Sequence, residues 1–166
     1  LRHMNAAKDE RITVHLGEIV KVHQAVAELR EQLSMPPLAI PACHHLPVGA
    51  LDSLLATFPI PVKRFSKGLA CVGNVRLFEV CCACLPSDHP VAVKIIRKKL
   101  SGEEIKVQYL TEITYSHIIH NLDRRDIRIL YGLLQGERTR ISAEPIFNSR
   151  HAFSEALGVA EGWLSK

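Results

Sequence analysis

Four consecutive residues, Gly73-Asn74-Val75-Arg76, carry the strongest chemical signal in the chain. They follow an extended apolar stretch through Leu69, Cys71 and Val72. They lead into a helical run with Val75, Phe78, Cys82 and Leu85 at helical spacing, and Pro86 closes that run. A strand that stops at a glycine and turns at once into a helix leaves the first backbone N–H groups of the helix unpaired and aimed at one spot. The helix dipole favours negative charge at that spot too. Arg76, in the first helical turn, can fork its guanidinium onto an anion held by those amides. This is a phosphate site in outline, although so short a string also fits an ordinary strand-turn-helix corner with Arg76 as a solvated charge.

Other residues with chemistry lie around this turn in the sequence. Glu79, at i+3 from Arg76, can orient the guanidinium, hold a divalent cation through one carboxylate, or make a surface ion pair. Glu112 and Asp123 are the acids of the helical part. His117 and His120 share a helix face and suit a general base or a ligand, or simply a polar face. Cys81, Cys82 and Cys84 crowd one helix, where they cannot pair with one another without strain. Cys43-His44-His45 lacks the paired spacing of structural zinc, so the five cysteines read as small buried thiols and no metal site is assigned.

The elements that must position these residues alternate. Arg11 to Leu16 alternates as a strand. Gly17 to Leu33 carries Ile19, Val22, Val26, Leu29 and Leu33 at helical spacing and reads as an amphipathic helix ended by Pro36-Pro37. A short extended piece, Leu38-Ala39-Ile40, leads to a helix from about Pro47 to Phe58. Two strands, around Pro61-Val62 and from Leu69, flank a turn at Ser66-Lys67-Gly68, and a further strand runs from Val91 to Ile95. Ser101 followed by Glu104 is a capping box that opens a long helix to His120. The order predicts an α/β fold with a small mixed sheet and packed helices, followed by an all-helical C-terminal part. Residues 1–10 read as a tag remnant and flexible N-terminus, 11–97 as the α/β core and 98–166 as a helical region. Phe153 to Val159 with Trp163-Leu164 has the pattern of a helix, a Gly turn and a second helix start, read as a packing pair.

With 166 residues, 47% of them hydrophobic, the chain can bury one good core. No apolar run approaches the roughly 18 residues of a membrane span and no signal-peptide pattern is present, which predicts a cytoplasmic location. The net charge of +4 is modest. Its distribution says more, because Arg97-Lys98-Lys99, Lys106, Arg124-Arg125, Arg128, Arg138 and Arg140 all follow the phosphate-type turn. Such clusters are commonly solvated faces, and their bias to one half favours a polyanion there.

The order of strand, Gly73-Asn74-Val75-Arg76, apolar helix and strand resembles the core of the ParB/sulfiredoxin superfamily, whose phosphate-binding G-x-x-R box lies at this turn. A second stretch, His120-Asn121-Leu122-Asp123-Arg124-Arg125-Asp126-Ile127, resembles the E-N-x-x-R box of ParB proteins. The resemblance implies nucleotide phosphates at Gly73, Asn74, Val75 and Arg76, with Arg124 as a further phosphate contact and Asn121 as a polar ligand to metal or phosphate. His120 stands where the second box has Glu, and Asn74 where Glu usually follows the glycine. Sulfiredoxin chemistry is excluded, since its nucleophilic Cys is replaced by Asn74.

A chain of this size resembles the small ParB-like proteins of conjugative plasmids. That likeness implies hydrolysis of ATP or another nucleoside triphosphate with Mg²⁺, binding and cleavage of DNA, and inhibition of conjugative transfer through a type IV secretion complex. On this reading Glu79, Asn121 and His120 are catalytic and Arg97, Lys98, Lys99, Arg124, Arg125 and Arg128 bind DNA. The alternatives are a non-catalytic ParB-like DNA-binding regulator or partition-type protein, and a protein-interaction module.

Overall fold

Six residues with Val14 turned inward, Glu10–His15, form the first strand, β1. It lies at one edge of a five-stranded sheet in the computed structural model of the chain, which describes residues 9–35, 40, 43–120, 124–136 and 149–164. The other strands are β2 (Ile19–Val22), β3 (Ile60–Phe65), β4 (Gly68–Cys71) and β5 (Pro90–Ile95), in the order β1-β5-β3-β4-β2. The sheet is mixed as expected: β1 with β5 and β3 with β4 are antiparallel, while β3 with β5 and β2 with β4 are parallel. Register sets Ile12 beside Val93, Val14 beside Val91, Ile60 beside Val93 and Val62 beside Ile95. With side chains alternating across a strand, these residues share one face and make it the core face.

The helices of this part are α1 (Gln24–Gln32), α2 (Val48–Thr57), α3 (Val75–Cys84) and α4 (Gly102–His120). Leu51 and Leu55 of α2 and Val75, Phe78, Val80 and Cys81 of α3 are buried, and α2 packs on β5 and α3 on β3. The capping box of α4 forms as read: Ser101 Oγ accepts from the Glu104 N–H at 3.1 Å, and the Ser101 N–H donates to Glu104 Oε2 at 2.7 Å.

One expected helix is corrected. Gly17 to Leu33 is not continuous: Leu16–Glu18 is a 3₁₀ turn, Ile19–Val22 is β2, and only Gln24–Gln32 is helical. Ile19 and Val22 are β-branched and pair in parallel with Leu69 and Cys71 of β4, which outweighs their helical spacing. His23 then starts α1, its Nδ1 accepting from the Ala25 N–H at 3.2 Å. Leu33 is 54% exposed, so the apparent stripe ends before it. The extended piece at Leu38-Ala39 lies outside the described residues.

The chain divides into two compact units, residues 1–40 with 48–116 and residues 41–47 with 117–166. The sheet, α1 to α3 and most of α4 belong to the first. In the second, α5 (Arg124–Gly136) and α6 (Arg150–Leu157) close on a cluster of Ile127, Phe153 and Leu164, with Tyr131 and Val159 packed against it. Ser149 caps α6, its Oγ accepting from the Ala152 N–H at 3.0 Å, and Gly158 ends it at φ 65°. After that glycine, Glu161–Leu164 is a 3₁₀ turn packed on α5 and α6. The cysteines depart from the expectation in part. Cys71 and Cys81 are buried thiols, whereas the free thiol Cys82 is exposed.

Candidate phosphate site at the β4–α3 turn

Strand β4 delivers the turn between two anchors. The Val72 N–H donates to the Pro61 carbonyl at 2.9 Å, and the Cys71 carbonyl accepts from the His23 N–H at 2.8 Å. Gly73 is buried. A Cβ built there would lie 2.6 Å from Gln108 Nε2 and 3.2 Å from Pro61 Cγ, so α4 and β3 both close over the backbone at this point. Asn74 then adopts the left-handed conformation, φ 48° and ψ 38°, one of the few non-glycine types that does so cheaply. Its Nδ2 donates to the Pro59 carbonyl at 3.2 Å, and its own carbonyl accepts from the Phe78 N–H at 3.0 Å to start α3. The side chain of Asn74 makes no capping bond, which leaves the first N–H groups of α3 to another acceptor.

That acceptor is a carboxylate of the same chain. Glu112 Oε1 accepts from the Arg76 N–H at 3.1 Å, and the backbone N–H groups of Val75 and Asn74 also favour its charged form. Burial is nonetheless the largest influence and pushes the Glu112 carboxyl above its ordinary value, with the Glu79 charge adding to the rise. Ile105, Tyr109 and Glu112 fall at i, i+4 and i+7 on α4, and Ile105 and Tyr109 are fully buried. Glu112 thus lies on the inward stripe of its helix and faces the turn.

Glu79, expected at the site, is held from the other side. Its Oε1 accepts from Arg30 Nη1 of α1 at 2.6 Å, while Arg30 Nε donates to the Tyr109 hydroxyl at 2.8 Å and the guanidinium lies 5.0 Å from the Tyr109 ring centroid. The hydrogen bond to Glu79 is the main reason that Arg30 is driven still further toward its charged form. Thiol chemistry is disfavoured here. Cys71 donates to the Gly73 carbonyl at 3.1 Å and burial raises it far above the usual thiol range, and Cys81 is raised to about 11 by burial.

Gly73, Asn74, Val75, Arg76 and Glu79 are therefore together in the first unit. Of the expected second box, His120 is the last residue of α4, Asn121 lies outside the described residues, and Arg124 belongs to α5 in the second unit, as do Arg125 and Arg128. Arg124 and Arg125 are exposed, and Arg128 Nε donates to the Trp163 carbonyl at 3.3 Å. Of the basic run after β5, Arg97 pairs with Glu10 at 2.7 Å, Lys98 with Glu104 at 3.3 Å, and Lys99 is exposed. Among the described residues no three His, Cys, Asp or Glu side chains are grouped as a metal would need, and no helix is long and apolar enough to cross a membrane.

Sequence reasoning missed Arg30, Tyr109, Gln108 and the role of Glu112. The signal for Glu112 was present, as a lone acid on the apolar spacing set by Ile105 and Tyr109.

No family model and no curated protein matches the chain. Among solved structures it is similar to the C-terminally truncated chromosome-partitioning protein ParB from Caulobacter crescentus, determined in complex with CTP-γ-S. The TM-score is 0.50 at 10% identity, over 94% of this chain and 75% of that chain. A likeness at this identity is one of fold, and it agrees with the mixed sheet and packed helices described above: the chain has a ParB-like α/β fold.

Proposed function

We propose that the chain is a ParB-like nucleotide-binding protein that acts on DNA. In this reading a nucleoside triphosphate, ATP or another, is held by its phosphates at Gly73, Asn74, Val75 and Arg76, with Mg²⁺ shared between the phosphates and protein. The observation that carries it is the hydrogen bond from the Arg76 N–H, at the start of α3, to a carboxylate whose charge the N–H groups of Val75 and Asn74 also favour. A turn that gathers amides around one anionic group has the donors that a phosphate requires. The solved ParB of similar fold contains CTP-γ-S, which supports a nucleotide as the source of that phosphate. The proposal extends to triphosphate hydrolysis and DNA cleavage with Glu79, His120 and Asn121 as the residues to test, to Arg124 as a second phosphate contact, and to inhibition of plasmid transfer through a conjugation complex.

The test is calorimetric titration with ATP, CTP and GTP in Mg²⁺, followed by separate scoring of phosphate release and plasmid nicking. A charge-assisted contact is worth about 1.5–3 kcal/mol, so Arg76→Ala should lower nucleotide affinity roughly tenfold to a hundredfold with the fold intact. Unchanged affinity in that variant removes the phosphate assignment. A second reading, a non-catalytic DNA-binding regulator or partition-type protein, is favoured by one feature: Glu79 is engaged by Arg30 and Glu112 by the turn amides. Nucleotide binding without phosphate release or nicking would select it.

A further inference from the structure

We infer that Glu112 is a built-in competitor for the β4–α3 turn: its carboxylate occupies the amide donors that an incoming phosphate needs, and a ligand binds only when that side chain leaves. The inference rests on reading the turn as a phosphate site and concerns how that site is regulated.

Carboxylate and phosphate make the same demand on a helix start. Each accepts from the first backbone N–H groups and each is favoured by the dipole. Here the Arg76 N–H is already bonded to Glu112 Oε1 at 3.1 Å. A phosphate at the same donors would stand within van der Waals distance of a second anion, and two negative charges at one site do not both persist.

The placement of α4 makes the occupancy specific rather than incidental. Gln108, one turn before Glu112, reaches to within 2.6 Å of where a Gly73 Cβ would be, so two successive turns of α4 lie over the glycine turn. Ile105 and Tyr109 are buried, and Tyr109 is bonded to Arg30, which fixes the backbone of α4 on this side. Release by rotation of the Glu112 side chain therefore disturbs less than withdrawal of the helix. Glu112 is only partly buried, which gives that rotation a route toward solvent.

The opposite role has the opposite sign. If Glu112 assisted a ligand, by holding a cation against the phosphates, its removal would weaken binding. The experiment uses the full chain and inorganic tripolyphosphate, titrated with and without Mg²⁺, against wild type, Glu112→Ala, Glu112→Gln and Arg76→Ala. Competition predicts that Glu112→Ala binds tripolyphosphate about tenfold or more tightly than wild type in EDTA, the size expected when a charge-assisted contact no longer has to be broken. Glu112→Gln should move the same way by less, because its amide oxygen still accepts from the turn without repelling the ligand. It also keeps the shape of the site should Glu112→Ala fail to fold.

Equal binding by wild type and both variants overturns the competitor and leaves the phosphate reading standing, provided Arg76→Ala still loses affinity. Weaker binding by the Glu112 variants also overturns it, in favour of assistance. If no protein in the set binds tripolyphosphate, with melting curves showing all of them folded, the phosphate reading and the competitor fall together.

Discussion

Glu112 is the residue whose environment makes the clearest claim on solution behaviour. Its carboxyl is raised by burial, so the folded chain holds that proton more tightly than the unfolded chain does. The sign follows from linkage. The stabilising contribution is fully present below the unfolded value, about 4.3 for Glu, and is lost as pH rises through the higher folded value. Glu112→Gln, which cannot ionise, should therefore melt at a higher temperature than wild type near pH 7, and the difference should shrink toward pH 4. Thermal melts of both proteins from pH 4 to 8 check this, and parallel curves would show that burial does not penalise the charge. The neighbouring groups set the baseline for the comparison: Glu79 across the turn is tied to Arg30, and the Asn74, Val75 and Arg76 amides that favour the Glu112 charge do not titrate.

Among elements, the tie between α1, α3 and α4 is concentrated in Arg30, Glu79 and Tyr109. The Arg30–Glu79 pair is about a quarter exposed on each side and shares its guanidinium with a buried tyrosine, whereas the Arg97–Glu10 pair is about half exposed. Solvent screens the second pair far more. A double-mutant cycle at Arg30 and Glu79 should give a coupling of about 1–3 kcal/mol, and the same cycle at Arg97 and Glu10 under about 1 kcal/mol. Equal couplings would mean that burial does not strengthen the first pair.

This scale also shows what the sequence could and could not carry. β3, the Ser66–Gly68 turn, β4, α3 and β5 were legible because alternation, a glycine turn and helical spacing each act within a few residues. The capping box of α4 was legible for the same reason. β2 was not, because Ile19, Val22 and Val26 satisfy a helical period, and only pairing with β4, some fifty residues along the chain, decides for a strand. The site was half legible. Gly73 to Arg76 announces an anion through local geometry. That the anion is Glu112 depends on α4 packing back over the turn, which no spacing within α3 could report.

On the scale of the whole molecule, the basic residues of the second half fall into two groups with different availability. In the first unit, Arg97 and Lys98 each have a carboxylate partner, Glu10 at 2.7 Å and Glu104 at 3.3 Å. In the second unit, Arg124 and Arg125 are exposed on the first turn of α5, and among the described residues no carboxylate pairs with either. A phosphate backbone that recruits a paired cation must break the pair first, so the attraction it gains is smaller. If DNA is the polyanion, changing Arg124 and Arg125 together to Ala should weaken binding to duplexes of any sequence. It should also flatten the dependence of log affinity on log salt by about 2, at roughly 0.9 per lost phosphate contact. The loss should be uniform across sequences, because phosphate contacts carry no base information. Changing Arg97 and Lys98 together should flatten the slope by less. Fluorescence-anisotropy titrations of both double variants at several salt concentrations make the comparison, with melting curves as the control for folding. An unaltered slope in the Arg124/Arg125 variant places the polyanion away from α5. A larger change in the Arg97/Lys98 variant would mean that the two ion pairs open on binding and that the basic run after β5 leads the contact.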